Sequence, residues 1–387
     1  MNFKQGEFLK RAWAEIDLDA LKNNFENLRA RVLSGVKIMA VVKADAYGHG
    51  AQRCSRVLEL IGADYFAVSN IEEALELRKC GIEKPVLILG YTPPQYAPTL
   101  ALNDISQAVY SLEYARLLSE EAIKNFLTVN VHIKIDTGMS RIGFLYHDTE
   151  TDSGSLDEIM EALSLPGLYS EGIFTHFARA DEKSGEAYTR IQFELFTTAV
   201  GILEKRGASF DVRHCCNSAA MLDYPEMHLD MVRAGISLYG LKPSDEIKNN
   251  IPLSPVMQLK SVISQVKFLE EGTPVSYGGT FVTDKTTKIA TVAIGYGDGY
   301  SRRLSSKAYM TVDGKKANVL GRVCMDQTLI DVTGIENVSA MQTVTVFGKK
   351  PAESADDLAR IIGTINYEIV CDVGKRVPRV YVGETSL

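Results

Sequence analysis

VKIMAVVKADAYGHGAQRCSRVLELIGADYFAVS, residues 36–69, decides the fold. An apolar, β-branched run (36–42) leads into a polar loop with two glycines, and a second such run (64–69) closes the stretch. Between them, AQRCSRVLELIGA places Cys54, Val57, Leu58 and Ile61 three and four residues apart, one face of a helix. Strand, helix and strand in that order predict a parallel βαβ unit.

Working outward, the alternation repeats. KPVLILG (84–90), ISQAVYS (105–111), TVNVHIKI (128–135), LYSEGIFTHF (168–177), SFDVRHCCN (209–217) and HLDMVRAG (228–235) bring the candidate strands to eight. Eight βα repeats predict a closed (β/α)8 barrel of the TIM type. An open doubly wound sheet is the competitor, because periodicity does not report closure. After the charged, proline-containing stretch 243–252 the character changes. VMQLKSVISQVKFL, TKIATVAI, YMTVDGKKANVLG, QTLIDVT and QTVTVFG read as short strands joined by glycine turns. PAESADDLARIIG reads as a helix with Ser354 as its N-cap. The expected domains are 12–245, the barrel, and 246–387, a β-rich domain on which residues 1–11 are expected to pack.

Length and composition fit two globular domains: 387 residues, 45% hydrophobic and 24% charged. A balance of 42 basic against 49 acidic residues argues against nucleic-acid or anionic-membrane binding by bulk charge. No apolar run reaches the roughly 18 residues of a membrane helix. MNFKQGEFLKRAW has no apolar core, so no secretory signal is expected and the expected location is cytoplasmic. The six cysteines form no C-x-x-C pair and the six histidines no H-x-x-x-H, so neither a disulfide framework nor a metal site is expected.

A lysine directly after a buried strand, at the end where barrels place their chemistry, is either a snorkelling side chain or a desolvated amine able to form a Schiff base. Lys43 stands there. The segment VVKADAYGHG resembles the signature of alanine racemases, enzymes dependent on pyridoxal phosphate. The resemblance runs on through VHIKIDTGMSRIGF, GIFTHFA, HCCNSAA, MVRAGISLYG, VSYGGTF, AIGYGDG, GRVCMDQ, INYEIVC and RVPRVY, in the family's order.

The resemblance implies roles residue by residue. Lys43 would carry pyridoxal 5'-phosphate covalently and act as one base; Tyr277, in VSYGGT, would be the base for the opposite face. Arg233 would face the pyridine nitrogen and, keeping its own proton, leave the ring largely unprotonated. Ser218 beside Asn217, Tyr47, Tyr367, Gly235 and Ile236 would hold the phosphate, with His176 near the ring. Arg141 would bind the substrate carboxylate, oriented by Lys134 as a carbamate. Tyr296, Met325 and Asp326 would reach the substrate from a partner chain, with Arg302 and Arg322 at the entrance. The implied activity is interconversion of L- and D-alanine by a head-to-tail homodimer with shared sites, supplying D-alanine for peptidoglycan.

Other readings differ at named residues. A broader-specificity, serine or lysine racemase would share every block, differing only in pocket size. A non-catalytic carrier of the cofactor would lack the C-terminal domain and Tyr277. A related decarboxylase would have an acidic residue in place of Arg233. A Schiff-base aldolase would leave the C-terminal domain without a role.

Overall fold

The computed structural model describes residues 11–249 and 251–383. The chain forms two compact units. One takes the chain up to Leu21, Tyr47–Gly50 and everything from Ser254; the other takes Lys22–Ala46 and Ala51–Leu253.

Strand β1 is Ala12–Asp17. The second unit is built on β2 Lys37–Val41, β3 Tyr65–Val68, β4 Val86–Ile88, β5 Ile105–Val109 and β6 Val129–Asp136. It continues with the two-residue β7 Phe144–Leu145, β8 Leu168–Phe174, β9 Val212–His214 and β10 Met231–Ala234. These pair in parallel in the order β10-β2-β3-β4-β5-β6-β8-β9, with β7 attached to β6. The ends then meet: Arg233 N donates to Cys216 O at 3.0 Å and Asp230 N to Arg213 O at 3.2 Å. The eight long strands therefore form a nearly closed barrel, and the open-sheet alternative falls. Strands such as β3 and β5 are buried at every position, which is why they read as continuous apolar runs rather than alternations. Several are shorter than the sequence suggests, because the backbone leaves the ladder where site residues begin. Thr175 and His176 lie beyond β8, and Cys215 to Asn217 beyond β9.

The other unit contains β11 Met257–Leu269, β12 Pro274–Val275, β13 Phe281–Val282, β14 Thr287–Val292, β15 Tyr309–Val312, β16 Lys315–Asn318, β17 Thr328–Asp331, β18 Thr343–Phe347 and β19 Arg379–Val382. Its main sheet runs β16-β15-β18-β11-β1-β19, and β14 bridges β11 to β17. The sequence expectation gives residues from 12 onward to the barrel. Instead, β1 lies antiparallel to β11 and parallel to β19, so the first described strand belongs to the β-rich unit. Its burial alternates, as suits a strand with only one face packed. The expectation about residues 1–11 falls outside the described residues except at Arg11, which bonds the Asp298 carboxylate in this unit. Ser354 caps the helix Ala355–Ile362 by accepting from Asp357 N at 3.1 Å. A second short helix, Asn366–Cys371, was not anticipated, because INYEIVC is too apolar and β-branched to show helical spacing.

Candidate active site

The loop after β2 decides how Lys43 is held. Ala44, Asp45, Ala46 and Tyr47 have φ of 52°, 53°, 54° and 52°. A left-handed turn of non-glycine residues costs about 1–2 kcal/mol per residue, so its surroundings must fix it. Ala46 N donates to Val42 O at 2.8 Å, and Ala51 N to the Asp45 carboxylate at 2.7 Å. Glu73 accepts from Ala44 N at 2.7 Å with one oxygen and from Ser69 N at 2.8 Å with the other. Sequence reasoning missed Glu73, which looks like an ordinary first-turn helix glutamate.

Arg233, in β10, is fully buried and spends its donors on uncharged acceptors. Nη1 reaches His214 Nδ1 at 2.8 Å; Nη2 reaches Thr175 O, His176 Nδ1 and Cys215 O, each at 2.9 Å. Burial pulls Arg233 down to about 10, which leaves it cationic at neutral pH. Burial, and then the Arg233 charge, hold His176 and His214 well below the ordinary imidazole value, so both rings are neutral. Lys134, inside the barrel, lies well below the ordinary ammonium value for the same two reasons. Its Nζ donates to Ile135 O at 3.2 Å and sits 5.1 Å from the centre of the Phe174 ring. Arg233 lies 5.6 Å from that ring centre, so both basic side chains pack against Phe174.

Asp136 shapes the neighbouring loop. It accepts from Gly138 N at 2.9 Å, Ser140 N at 3.0 Å and Arg141 N at 3.1 Å, and from His147 Nε2 at 3.2 Å. Burial raises its carboxyl, but these bonds outweigh burial and hold it below the ordinary value. The turn leaves Arg141 exposed, and Ser140 takes φ +55°, a conformation that favours glycine. His132, Lys134 and Asp136 are polar residues two apart on one strand. That spacing puts them on one face, a signal the sequence reading did not use.

Beyond β9, Asn217 caps the short helix Ser218–Asp223 by accepting from Ala220 N at 3.0 Å. Ser218 Oγ accepts from Gly235 N at 2.8 Å, tying the ends of β9 and β10 together. Ile236 opens the 3-10 turn Ile236–Tyr239, where the buried Ser237 hydroxyl has no hydrogen-bond partner among the described residues. An orphaned hydroxyl beside such a turn suits a polar ligand.

The β-rich unit collects the remaining residues. Tyr47 and Tyr367 lie ring to ring, 6.0 Å between centres, and burial raises the Tyr47 phenol. Tyr277 is 67% exposed and follows Ser276, whose φ is +63° and whose hydroxyl donates to Arg322 O at 2.6 Å. Tyr277 and Ser276, with Gly278, Cys324, Met325, Asp326, Gln327 and Leu329, line an open pocket of about 660 Å³. Arg322 packs over the Gly278 turn, where a Cβ would lie 2.9 Å from its Nη1. Tyr296 is bound into the same surface: its N donates to Cys324 O at 3.0 Å, and Gly297 N to Met325 O at 2.9 Å. Arg376, which the sequence reading did not single out, joins these loops by donating to Asp298 at 2.8 Å and Asp326 at 2.7 Å. Arg302 is exposed on the separate turn Arg302–Leu304.

The sequence-predicted residues thus fall into two groups. Lys43, Lys134, Arg141, His176, Asn217, Ser218, Arg233, Gly235 and Ile236 belong to the barrel unit. Tyr47, Tyr277, Tyr296, Arg302, Arg322, Met325, Asp326 and Tyr367 belong to the β-rich unit.

Known proteins resemble this chain along nearly its whole length. Residues 16–243 match the family model "Alanine racemase, N-terminal domain" and residues 256–381 match "Alanine racemase, C-terminal domain". The alanine racemase of Clostridium perfringens is 48% identical over 372 residues, covering 95% of each chain. The structure of alanine racemase from Clostridium difficile 630 superposes with a TM-score of 0.92 at 40% identity, covering 98% of this chain and 97% of that one. The Bacillus anthracis enzyme with bound L-Ala-P gives 0.91 at 35% identity, with the same coverage. The chain belongs to the alanine racemase family.

Proposed function

We propose that this protein interconverts L- and D-alanine in the cytoplasm, with pyridoxal phosphate as cofactor and with two chains contributing to each site. The observation that carries the reading is Arg233: a buried cation with neutral partners, where a decarboxylase would place an acid. The residues present fit the cofactor. Ser218 accepts from Gly235 N, and the turn that follows, opened by Ile236, carries the orphaned Ser237 hydroxyl; these groups suit a phosphate, to which Tyr47 and Tyr367 would add phenolic donors. Lys43 would hold the cofactor at the end of β2, and Arg233 would meet its ring nitrogen.

Bound there, pyridoxal phosphate supplies an electron sink that acidifies the substrate's α-C–H bond. Inverting the centre needs a proton acceptor on one face and a donor on the other. Lys43 Nζ would serve one face and the Tyr277 hydroxyl the other. An unperturbed phenol is a poor base at neutral pH, so Tyr277 depends on a cationic neighbourhood, which His176 bonded to Arg233 would provide. Arg233 would donate there without giving up its proton, which would keep the ring a weak sink and favour return of the proton over side reactions. Arg141 would orient the substrate carboxylate.

Lys134 is the candidate carbamate. Carbamylation requires a neutral amine, and burial keeps Lys134 well below its ordinary value. The product anion would pair with Arg141. A head-to-tail homodimer, as the family resemblance implies, would let Lys43 of one chain and Tyr277 of another complete each site. The D-alanine produced would supply peptidoglycan synthesis.

Proton NMR of the cofactor-loaded protein with L-alanine in deuterated water, paired with chiral analysis, tests the reading. Loss of the α-proton with growth of D-alanine is expected. A bound cofactor with no exchange would overturn alanine as substrate.

A further inference from the structure

We infer that Glu171 is a positioning residue for Arg233, acting through a one-directional chain of hydrogen bonds that crosses the barrel by way of His132 and His214. An arginine has donors and no acceptor. Because Arg233 Nη1 donates to His214 Nδ1 at 2.8 Å, that nitrogen presents a lone pair. The His214 proton is therefore on Nε2, which lies 3.0 Å from His132 Nδ1. His132 Nδ1 must accept, which leaves the His132 proton on Nε2, 3.0 Å from Glu171 Oε2. Glu171 completes its shell with the Ser106 hydroxyl and the Tyr65 hydroxyl, the latter at 3.2 Å. The reverse direction has no solution, since a proton on His132 Nδ1 would face the one on His214 Nε2.

The barrel is shaped for this chain. Gly172 faces His132, and a Cβ there would lie 2.4 Å from its Nδ1, so only glycine admits the ring. His214 is stacked on Phe174 at 4.8 Å with the rings 2° apart, which fixes its plane. All four members are buried. Among the described residues Arg233 bonds two imidazoles and two carbonyls and no carboxylate; Glu171 is the carboxylate at the end of its chain. Burial raises the Glu171 carboxyl, but the bonds from His132, Ser106 and Tyr65 outweigh it and keep the group ionised. The anion polarises both rings in one sense, strengthens His214 Nδ1 as an acceptor, and so holds the guanidinium in one orientation. That this orientation serves a cofactor ring rests on the function proposed above; the direction of the chain does not.

Nitrogen-15 NMR of imidazole-labelled full chain, without and then with pyridoxal phosphate, tests both parts. At neutral pH, His132 and His214 are expected as Nε2–H tautomers. Glu171→Gln is expected to move the His132 Nε2–H resonance upfield and to broaden the Arg233 side-chain signals. In loaded enzyme it should raise several-fold the fraction of alanine leaving as pyruvate rather than as its mirror image. Should that variant not fold, Ser106→Ala removes one donor from Glu171 and should shift the same His132 proton downfield. An Nδ1–H tautomer or an imidazolium at either ring overturns the chain. Correct tautomers with Arg233 signals and pyruvate fraction unmoved in Glu171→Gln overturn the positioning role. Wild-type enzyme that exchanges no α-proton of alanine overturns the functional reading, while the tautomers still decide the chain.

Discussion

The Arg233 centre and the Tyr277 surface are built on opposite plans. Around Arg233, charge is buried and both terminal nitrogens of the guanidinium are bonded: to neutral imidazoles and carbonyls, with a carboxylate two rings away. Around Tyr277, the side chains stand open on an exposed pocket, and the polar contacts lie behind them, between backbones and through Arg376 and Asp298. Burial makes the first centre sensitive to any single loss, because an unpaired group there has no water to turn to. Exposure makes the second cheap to alter in stability terms, so its side chains are free to serve another molecule. The barrel unit would set the electronics of the reaction; the β-rich unit would present a base to it.

That contrast breaks most visibly at the two proposed bases. Lys43→Ala should abolish racemisation together with the visible absorption of bound cofactor; retained turnover would remove the lysine from its role. Tyr277→Phe should lower racemisation by about 10²- to 10⁴-fold, more severely for one enantiomer, as isotope exchange from each would read. Its melting temperature should stay unchanged, since exposed substitutions are worth within about 0.5 kcal/mol.

Arg233→Met should do the reverse in stability. It strands four buried acceptors, and the expected loss is about 2–4 kcal/mol in urea unfolding. A variant as stable as wild type would show that the centre tolerates vacancy and would dissolve the distinction between the two regions.

The most gradual expected effect is the pH dependence. His176 and His214 are neutral in the native state and held below their ordinary value of 6.5, so the unfolded chain binds more protons. Their contribution to stability is complete above pH 6.5 and declines as pH falls below it, by up to about 1.4 kcal/mol per unit for each group. The depressed carboxyls of Asp136 and Glu171 extend the decline below their ordinary values of 3.8 and 4.5. Urea midpoints at pH 5 and 7.5 should show the histidine part. His214→Asn should flatten it and Tyr277→Phe should leave it alone.

Much of this was visible in the chain before any coordinates. Continuous apolar strands, each followed by a 3.6-residue pattern, announce a parallel barrel because both faces of its strands are buried. Glycine turns between short alternating runs announce the β-rich unit. Ser354 marks a helix start that holds as expected, and Asp357 completes its cap. Hidden were features whose cause lies far along the chain. The Ala12–Asp17 segment alternates like any half-buried strand, and only its partners β11 and β19 assign it to the β-rich unit. Glu73 becomes part of the lysine loop solely because Ala44 N and Ser69 N converge on it.

By itself, then, the sequence determined the repeating unit, the residue types at each strand end and the family resemblance that assigns them. These are local: a strand or a helix is specified by spacing within a few residues. Tertiary structure alone decided closure of the barrel, the lowered basicity of Lys134, the neutrality of His176, and the direction of the chain from Arg233 to Glu171. Those depend on burial and on which donors and acceptors meet across strands 39, 82 and 19 residues apart in the chain. A side chain's charge and tautomer are set by its neighbours in space, which local spacing does not name.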